Sequence, residues 1–224
     1  MPESDALAVE ALEIIYKDAR GADFSALDIA ALSFAPCTMS AIGGPSGCGK
    51  SSFLYGLSGL AQPRSGRVLW RGADLLALPA PRRDAWRRAN AGFVFQDFQL
   101  VRELSPRENV LLPARFDHWR IPAALLSRAT ALLQQFGVPE RGLVGDLSRG
   151  EAQRVAICRA LLRDPPIVLA DEPTASLDVA SARKVTEALR ELARSKIVVC
   201  VTHDSALAEA SDVRIKLDHG RIAA

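Results

Sequence analysis

With 224 residues and 49% hydrophobic content, the chain can bury a full core and suits one large or two small domains; a single domain spanning residues 1–224 is expected. Its 28 basic residues nearly cancel its 26 acidic ones, leaving a formal net charge of +2, so no global field recommends nucleic acid or an anionic membrane as partner. The longest apolar runs, IVLA and IVVCV, are far too short to span a bilayer, and the acidic start MPESDALAVEALE has no signal-peptide pattern, so any task at a membrane needs spans from a separate polypeptide.

In chain order, residues 9–35 hold two strand-like patches, VEALEIIY and SALDIAALSF, joined by the polar KDARGAD, which predicts a hairpin. The run Thr38 to Gly43 is short and apolar enough for a buried strand, and it leads into GPSGCGKS, Gly44 to Ser51, followed by helically spaced apolar residues in SSFLYGLSGL. Every fixed position of G-x-x-x-x-G-K-[ST] is filled, in the strand, loop, helix context that the pattern needs. Glycines 44, 47 and 49 let the backbone turn its N–H groups inward on an anion, and the positive end of the following helix faces the same point. Lys50 would reach β- and γ-phosphates, and the Ser51 hydroxyl would ligate Mg²⁺.

The stretch RVLWRGADLL reads as a further strand and turn, and PAPRRDAWRRAN as a short helix. Four arginines around Trp86 would suit RNA, but arginines on such a helix more often form a solvated face, which is the reading adopted. AGFVFQ is a β-rich run ending in Gln96, after which Asp97 to about Val138 turns mainly helical. Within it PAALLSRATALLQQFG has Pro122 at a first helical position, Leu125, Leu126, Ala129, Leu132, Leu133 and Phe136 on one face, and Gly137 as a stop. This predicts a helical insertion, approximately residues 97–160, between strands of an α/β domain.

Ser148 to Glu151, SRGE, forms a capping box ahead of the helical AQRVAICRALLR and gathers a hydroxyl, Gly150 and free helix-start amides at one exposed point. By itself this is an ordinary helix cap. Asp164, Pro165 and Pro166 stop that helix, and IVLA then reads as a buried strand ending in Asp171 and Glu172, adjacent carboxylates that need a cation or a substrate. KIVVCVTHD repeats the pattern and ends in Thr202 and His203. In an open parallel sheet ligands bind outside the carboxyl ends of the strands, so these three clusters would converge. Between the last two runs lies an amphipathic helix with Val185, Leu189 and Leu192 inward, and DVRIKLDHGRIAA reads as an edge hairpin turning at Asp218 to Gly220, with His219 exposed. Cys37, Cys48, Cys158 and Cys200 show no metal spacing with the three histidines and read as reduced, mostly packed residues.

The ordered set GPSGCGKS, Gln96, LSRGE with QRVAICRAL, IVLADEP, SLD and His203 resembles the nucleotide-binding subunit of ATP-binding cassette transporters across essentially the whole chain. GFVFQDFQLV and Glu108-Asn109-Val110 are most similar to the branch with lipoprotein-releasing and macrolide-exporting systems and the cell-division ATPase. The resemblance implies a P-loop NTPase of the α/β class, with a mostly parallel core sheet, an N-terminal antiparallel β subdomain and an inserted helical subdomain. It implies ATP and Mg²⁺ as cofactors, the triphosphate held by Gly44, Pro45, Ser46, Gly47, Cys48, Gly49, Lys50, Ser51 and Ser52, and the metal by Ser51, Gln96 and Asp171. Glu172 would polarise the attacking water, His203 would contact the γ-phosphate, and Gln96 would touch the metal and water while sensing the membrane partner.

The family works as a head-to-tail dimer, so Ser148 and Gly150, with Glu151 in the same cap, would close on ATP bound by the other subunit, and Asp178 would link the two sites. The implied partners are a second copy or a paired cassette subunit and a separate transmembrane permease, with no nucleic acid and no membrane insertion of its own. The implied location is the cytoplasm, peripheral on the inner membrane, and the implied role is to drive export or extraction. Two departures stand out: Arg149 occupies a position where the family commonly has glycine, and the aromatic that stacks on adenine is not clearly placed, Tyr16 being the first candidate and Phe24 the second, with apolar packing the alternative for either. Non-transport cassettes usually carry two cassettes per chain or a long coiled-coil insertion, neither present here. A regulatory cassette signalling to a membrane partner is the alternative, and the intact Glu172 and His203 argue against a purely structural one.

Overall fold

A computed structural model describes residues 6–17, 20–139 and 142–223. The first five residues, and Asp18 and Ala19 in the polar link of the expected hairpin, lie outside them. Strands β1 (Leu7–Lys17) and β2 (Asp23–Phe34) form that hairpin and join β4 (Ser65–Trp70) and β5 (Ala73–Asp74) in an antiparallel sheet ordered β2-β1-β4-β5. In β1 the core face switches parity: Leu7 and Val9 are buried before Ala11, Leu12 and Ile14 after it. Ala11, at φ 47°, sits in a bulge where pairing with β4 shifts between Glu10 and Glu13, the local kink that moves the apolar set by one residue.

The second sheet is built from β3 (Thr38–Gly43), β6 (Ala91–Val94), β7 (Ile167–Asp171), β8 (Ile197–Val201), β9 (Val213–Asp218) and β10 (Arg221–Ile222), ordered β10-β9-β3-β8-β7-β6. All its pairings are parallel except β10 with β9. Every residue of β7 and β8 is buried, because both faces of a parallel sheet are covered. One face, with Ile42, Leu169 and Val199, packs against the antiparallel sheet and Phe53, Leu54 and Leu57 of α1 (Lys50–Leu57). The other, with Met39, Ala41, Val168, Ala170 and Cys200, packs against the remaining helices.

Those helices are α3 (Pro106–Arg115), α4 (Ala123–Gln135), α5 (Arg149–Leu161) and α6 (Val179–Ala193); α2 (Ala80–Asn90) lies on the side of the antiparallel sheet and α7 (Ser205–Glu209) follows β8. Leu132 and Leu133 of α4, Val110 of α3 and Ile157 of α5 share one apolar cluster with the sheet face. Pro122 is the residue before α4 rather than its first residue, and Gly137 ends it at φ 60°. The arginine helix is exposed on one side only: Trp86 meets Trp70 edge-on, and Arg87 Nη1 donates to the carbonyls of Ser58 and Gly59.

Two expectations are refined. The strand toward Gln96 stops at Val94, because Phe98 (φ 59°) and Gln99 (φ 52°) turn the chain away from β7. The C-terminal hairpin is not wholly an edge, since β9 pairs in parallel with β3 and β10 alone takes the edge. Among the described residues no helix is long and apolar enough to cross a membrane. The four cysteines are free; Cys37 is exposed, and burial pushes the Cys158 and Cys200 thiols up to about 12, so these two stay protonated and inert.

Candidate functional site

Gly49 precedes α1 at φ 102°, a left-handed conformation that costs glycine nothing, and no side chain caps the helix. The first amides of α1 therefore face a cleft of about 530 Å³ with the positive end of the helix behind them, the arrangement that favours phosphate. Lys50 Nζ arches back over the loop and donates to the carbonyls of Gly44 (2.9 Å) and Pro45 (3.1 Å), which fixes its charge above the cleft floor.

The ends of three parallel strands converge there. Ser51 Oγ donates to Asp171 Oδ1 at 3.2 Å, joining α1 to the end of β7. Asp171 is only 3% exposed; burial raises its pKa above the ordinary carboxylate value, the Ser51 hydrogen bond partly offsets this, and the neighbouring Glu172 charge adds to it. Glu172 stands in the left-handed region at φ 46°, its N–H donating to the Val201 carbonyl at 2.9 Å. That geometry turns its side chain across the sheet end: Oε1 lies 4.0 Å from Lys50 Nζ, and Oε2 lies 2.8 Å from His203 Nδ1 and accepts from the His203 amide at 3.2 Å. A non-glycine residue held in this conformation is the kind of strain that surrounding contacts must maintain.

Gln96 also lines the cleft, as do Ser46, Gly47 and Ser52. Gly44, Pro45 and Cys48 do not line it: Pro45 and Cys48 line a neighbouring cleft beside the C-terminal turn, and Gly44 backs onto the Leu217 carbonyl. Tyr16 and Phe24, both on the main cleft, are directly opposed across the β1–β2 hairpin and are 43% and 54% exposed. The two candidates for adenine thus occupy one cross-strand position on the cleft wall. Ala26 at the same wall was invisible in the sequence, because what it brings is a backbone carbonyl.

Ser148, Gly150, Glu151 and Asp178 do not line this cleft. Ser148 and Glu151 form a full capping box, with Ser148 Oγ 2.6 Å from Glu151 Oε2, and these bonds hold the Glu151 carboxyl below its usual range. Asp178 caps α6 by accepting from the Ser181 amide at 3.0 Å, and a Cβ on Gly150 would lie 2.5 Å from Ser181 Oγ. The two segments are thus seated against each other, with Gly150 buried at their contact and Ser148 and Asp178 exposed beside it.

For a divalent cation the donors present are a hydroxyl and a carboxylate, hard oxygen ligands of the type Mg²⁺ takes. Among the described residues no group of three or more His, Cys, Asp or Glu side chains is placed to hold a metal, so the cation would need phosphate oxygens and water as its other ligands. The residues fit a metal that arrives with a nucleotide.

A glycine loop feeding a free helix start, with a hydroxyl–carboxylate pair and a second carboxylate at the strand ends, defines a P-loop nucleoside triphosphatase. Residues 27–175 match the model of the ABC transporter family. The chain is 41% identical over 220 residues to the lipoprotein-releasing system ATP-binding protein LolD 1 of Rhodopirellula baltica, covering 96% of this chain and 95% of that one. It is also 41% identical over 177 residues to an uncharacterised ABC transporter ATP-binding protein, Rv0073, of Mycobacterium tuberculosis, covering 78% of this chain but spanning only 53% of that protein. Among solved structures it resembles the ATP-binding cassette MJ0796, seen as a dimer in a post-hydrolysis state with ADP and Pi, with TM-score 0.88 and 32% identity over 97% of both chains. The chain belongs to the ABC transporter family, and its activity is ATP hydrolysis.

Proposed function

We propose that this chain is the ATPase subunit of a membrane extraction or export system of the lipoprotein-releasing kind, acting as a head-to-tail pair beneath a separate permease. The observation that carries the reading is the single cleft where Lys50, Ser51, Gln96, Glu172 and His203 meet, with Asp171 bonded to Ser51 at its floor. In this reading residues 44–52 hold the triphosphate, and Ser51 and Asp171, with Gln96, hold Mg²⁺. Bound there, the cation would neutralise charge on the β- and γ-phosphate oxygens.

Glu172 accepts a proton from the attacking water; the γ-phosphorus–oxygen bond to ADP breaks as the water oxygen forms its bond. His203, 2.8 Å from the carboxylate, keeps Glu172 aimed and reaches the γ-phosphate. Lys50, 4.0 Å from Glu172 and anchored on two carbonyls, offsets the charge of both partners. Phosphoryl transfer asks chiefly for such positioning and charge neutralisation.

Ser148 is exposed away from the cleft, with Gly150 buried behind it and Glu151 in the same cap; in this reading that helix start completes the site of a second copy, with Asp178 linking the two. Charge-assisted hydrogen bonds contribute about 1.5 to 3 kcal/mol each, so a few made across the dimer supply the roughly 5.5 kcal/mol that a clean open-to-closed switch requires. Hydrolysis removes the bridging phosphate and the pair reopens. The chain is then cytoplasmic and peripheral on the membrane, residues 97–160 form a helical subdomain of one domain, and the stretch 97–120 meets the permease. A regulatory cassette would share this site and differ in slow turnover.

The test is Glu172→Gln. ATP binding should persist, hydrolysis should fall by about 10² to 10⁴ as for loss of a general base, and an ATP-bound dimer should accumulate on size-exclusion chromatography. A variant that stays monomeric with ATP and Mg²⁺ present would sink the split-site reading.

A further inference from the structure

The phosphate loop is gripped on two sides by main chain distant in sequence. A Cβ on Gly49 would lie 2.3 Å from the Ala26 carbonyl oxygen, and one on Gly44 would lie 2.1 Å from that of Leu217. Between these walls the turn after β9 closes on the loop: the Gly220 N–H donates to the Cys48 carbonyl at 3.0 Å, and the Gly220 carbonyl accepts from the Asp28 N–H at 2.8 Å. One residue on, Arg221 places Nε and Nη2 on Asp28 Oδ2 at 3.1 and 2.8 Å. Gly220 stands at φ 78°, and a Cβ there would lie 2.9 Å from the Ala26 carbonyl, so only glycine closes this joint without displacing β2.

Ala26 and Asp28 belong to β2, the strand that presents Phe24 opposite Tyr16. The C-terminal turn therefore joins the strand that carries Phe24 to the phosphate loop through one residue, Gly220. We propose that the Asp218–Gly220 turn is a positioning element of the nucleotide site, which sets the spacing between base platform and phosphate loop so that both ends of one nucleotide are engaged together. A nucleotide has a limited reach from base to phosphates, and a displacement of about 1 Å at one end strains or weakens contacts at the other. This rests on reading Tyr16 and Phe24 as the base platform.

The experiment compares calorimetric titrations of ATP and inorganic tripolyphosphate, which has the phosphates and no base. Gly220→Ala should weaken ATP by about tenfold, the scale of losing one base–aromatic stack, while tripolyphosphate affinity changes by less than about twofold. Arg221→Ala should give a smaller loss for ATP alone, about threefold, as an exposed ion pair allows; the double reversal Asp28→Arg with Arg221→Asp should restore it. Equal weakening of both ligands by Gly220→Ala, or weakening of neither, overturns the proposal. If Gly220→Ala does not fold, the Arg221 series decides by the same comparison. Tyr16→Ala separates the two readings: unchanged ATP affinity there removes the platform itself, whereas a loss in Tyr16→Ala with none in the turn variants removes only the turn.

Discussion

The guanidinium of Arg149 lies over the ring of Phe98, its central carbon 5.5 Å from the ring centroid. Arg149 opens α5 beside Ser148, and Phe98 lies two residues beyond Gln96, so the contact ties the exposed helix start to the loop on the cleft. A second arginine of the same helix, Arg159, donates to the Phe98 and Gln99 carbonyls and holds these two residues at their positive φ angles. The residue that departs from the family's usual glycine is therefore in use as a brace.

Arg149→Ala should remove a cation–π contact worth about 0.5 to 1 kcal/mol at an exposed site, and turnover should fall by the corresponding factor of roughly two to five. ATP affinity of the single protomer should not change, because residues 44–52, Tyr16 and Phe24 are untouched. Steady-state kinetics beside a calorimetric titration checks this. Weaker ATP binding with unaltered turnover would refute the brace.

Asp171 carries a cost in the nucleotide-free protein. Its folded pKa is raised by burial, so its contribution to stability is fully present below the unfolded carboxylate value and lost as pH rises through the folded one. At neutral pH the ionised group is a net cost. Asp171→Asn should therefore stabilise the nucleotide-free protein by on the order of 1 kcal/mol at pH 7, lose that advantage below pH 4, and abolish Mg²⁺-dependent hydrolysis. Thermal melts at the two pH values decide; a lower melting temperature at pH 7 would show that the Ser51 hydrogen bond outweighs the burial.

Phe116 and Trp119 follow α3 at 83% and 99% exposure, with Arg115 and Arg120 beside them. Bare aromatics flanked by cations suit a protein interface, and they fall in the stretch proposed to meet the permease. A photo-crosslinker replacing Trp119 should capture an integral membrane protein in cells, and Phe116→Ala with Trp119→Ala should lose partner-stimulated hydrolysis while the isolated subunit keeps its rate. Crosslinks reaching only soluble proteins would count against this surface.

What the sequence alone determined were the features written in neighbouring residues. The phosphate loop, the Ser148–Glu151 box, the buried strands at 167–171 and 197–201 and the stop at Gly137 each rest on side-chain type at spacings of a few positions, and each is where the pattern put it. The convergence of Ser51, Asp171 and His203 was legible too, because parallel strands place their carboxyl ends on one edge.

Only the tertiary structure decided the distances that make those groups a site: Ser51 on Asp171 across 120 positions, and His203 on Glu172 across 31. It also decided that β9 enters the parallel sheet, that Tyr16 and Phe24 face one another, and that Ala26, Leu217 and Gly220 brace the phosphate loop. The brace is made of backbone N–H and C=O groups, which nearly every residue carries, so the side-chain sequence holds no signal for it until the chain is folded.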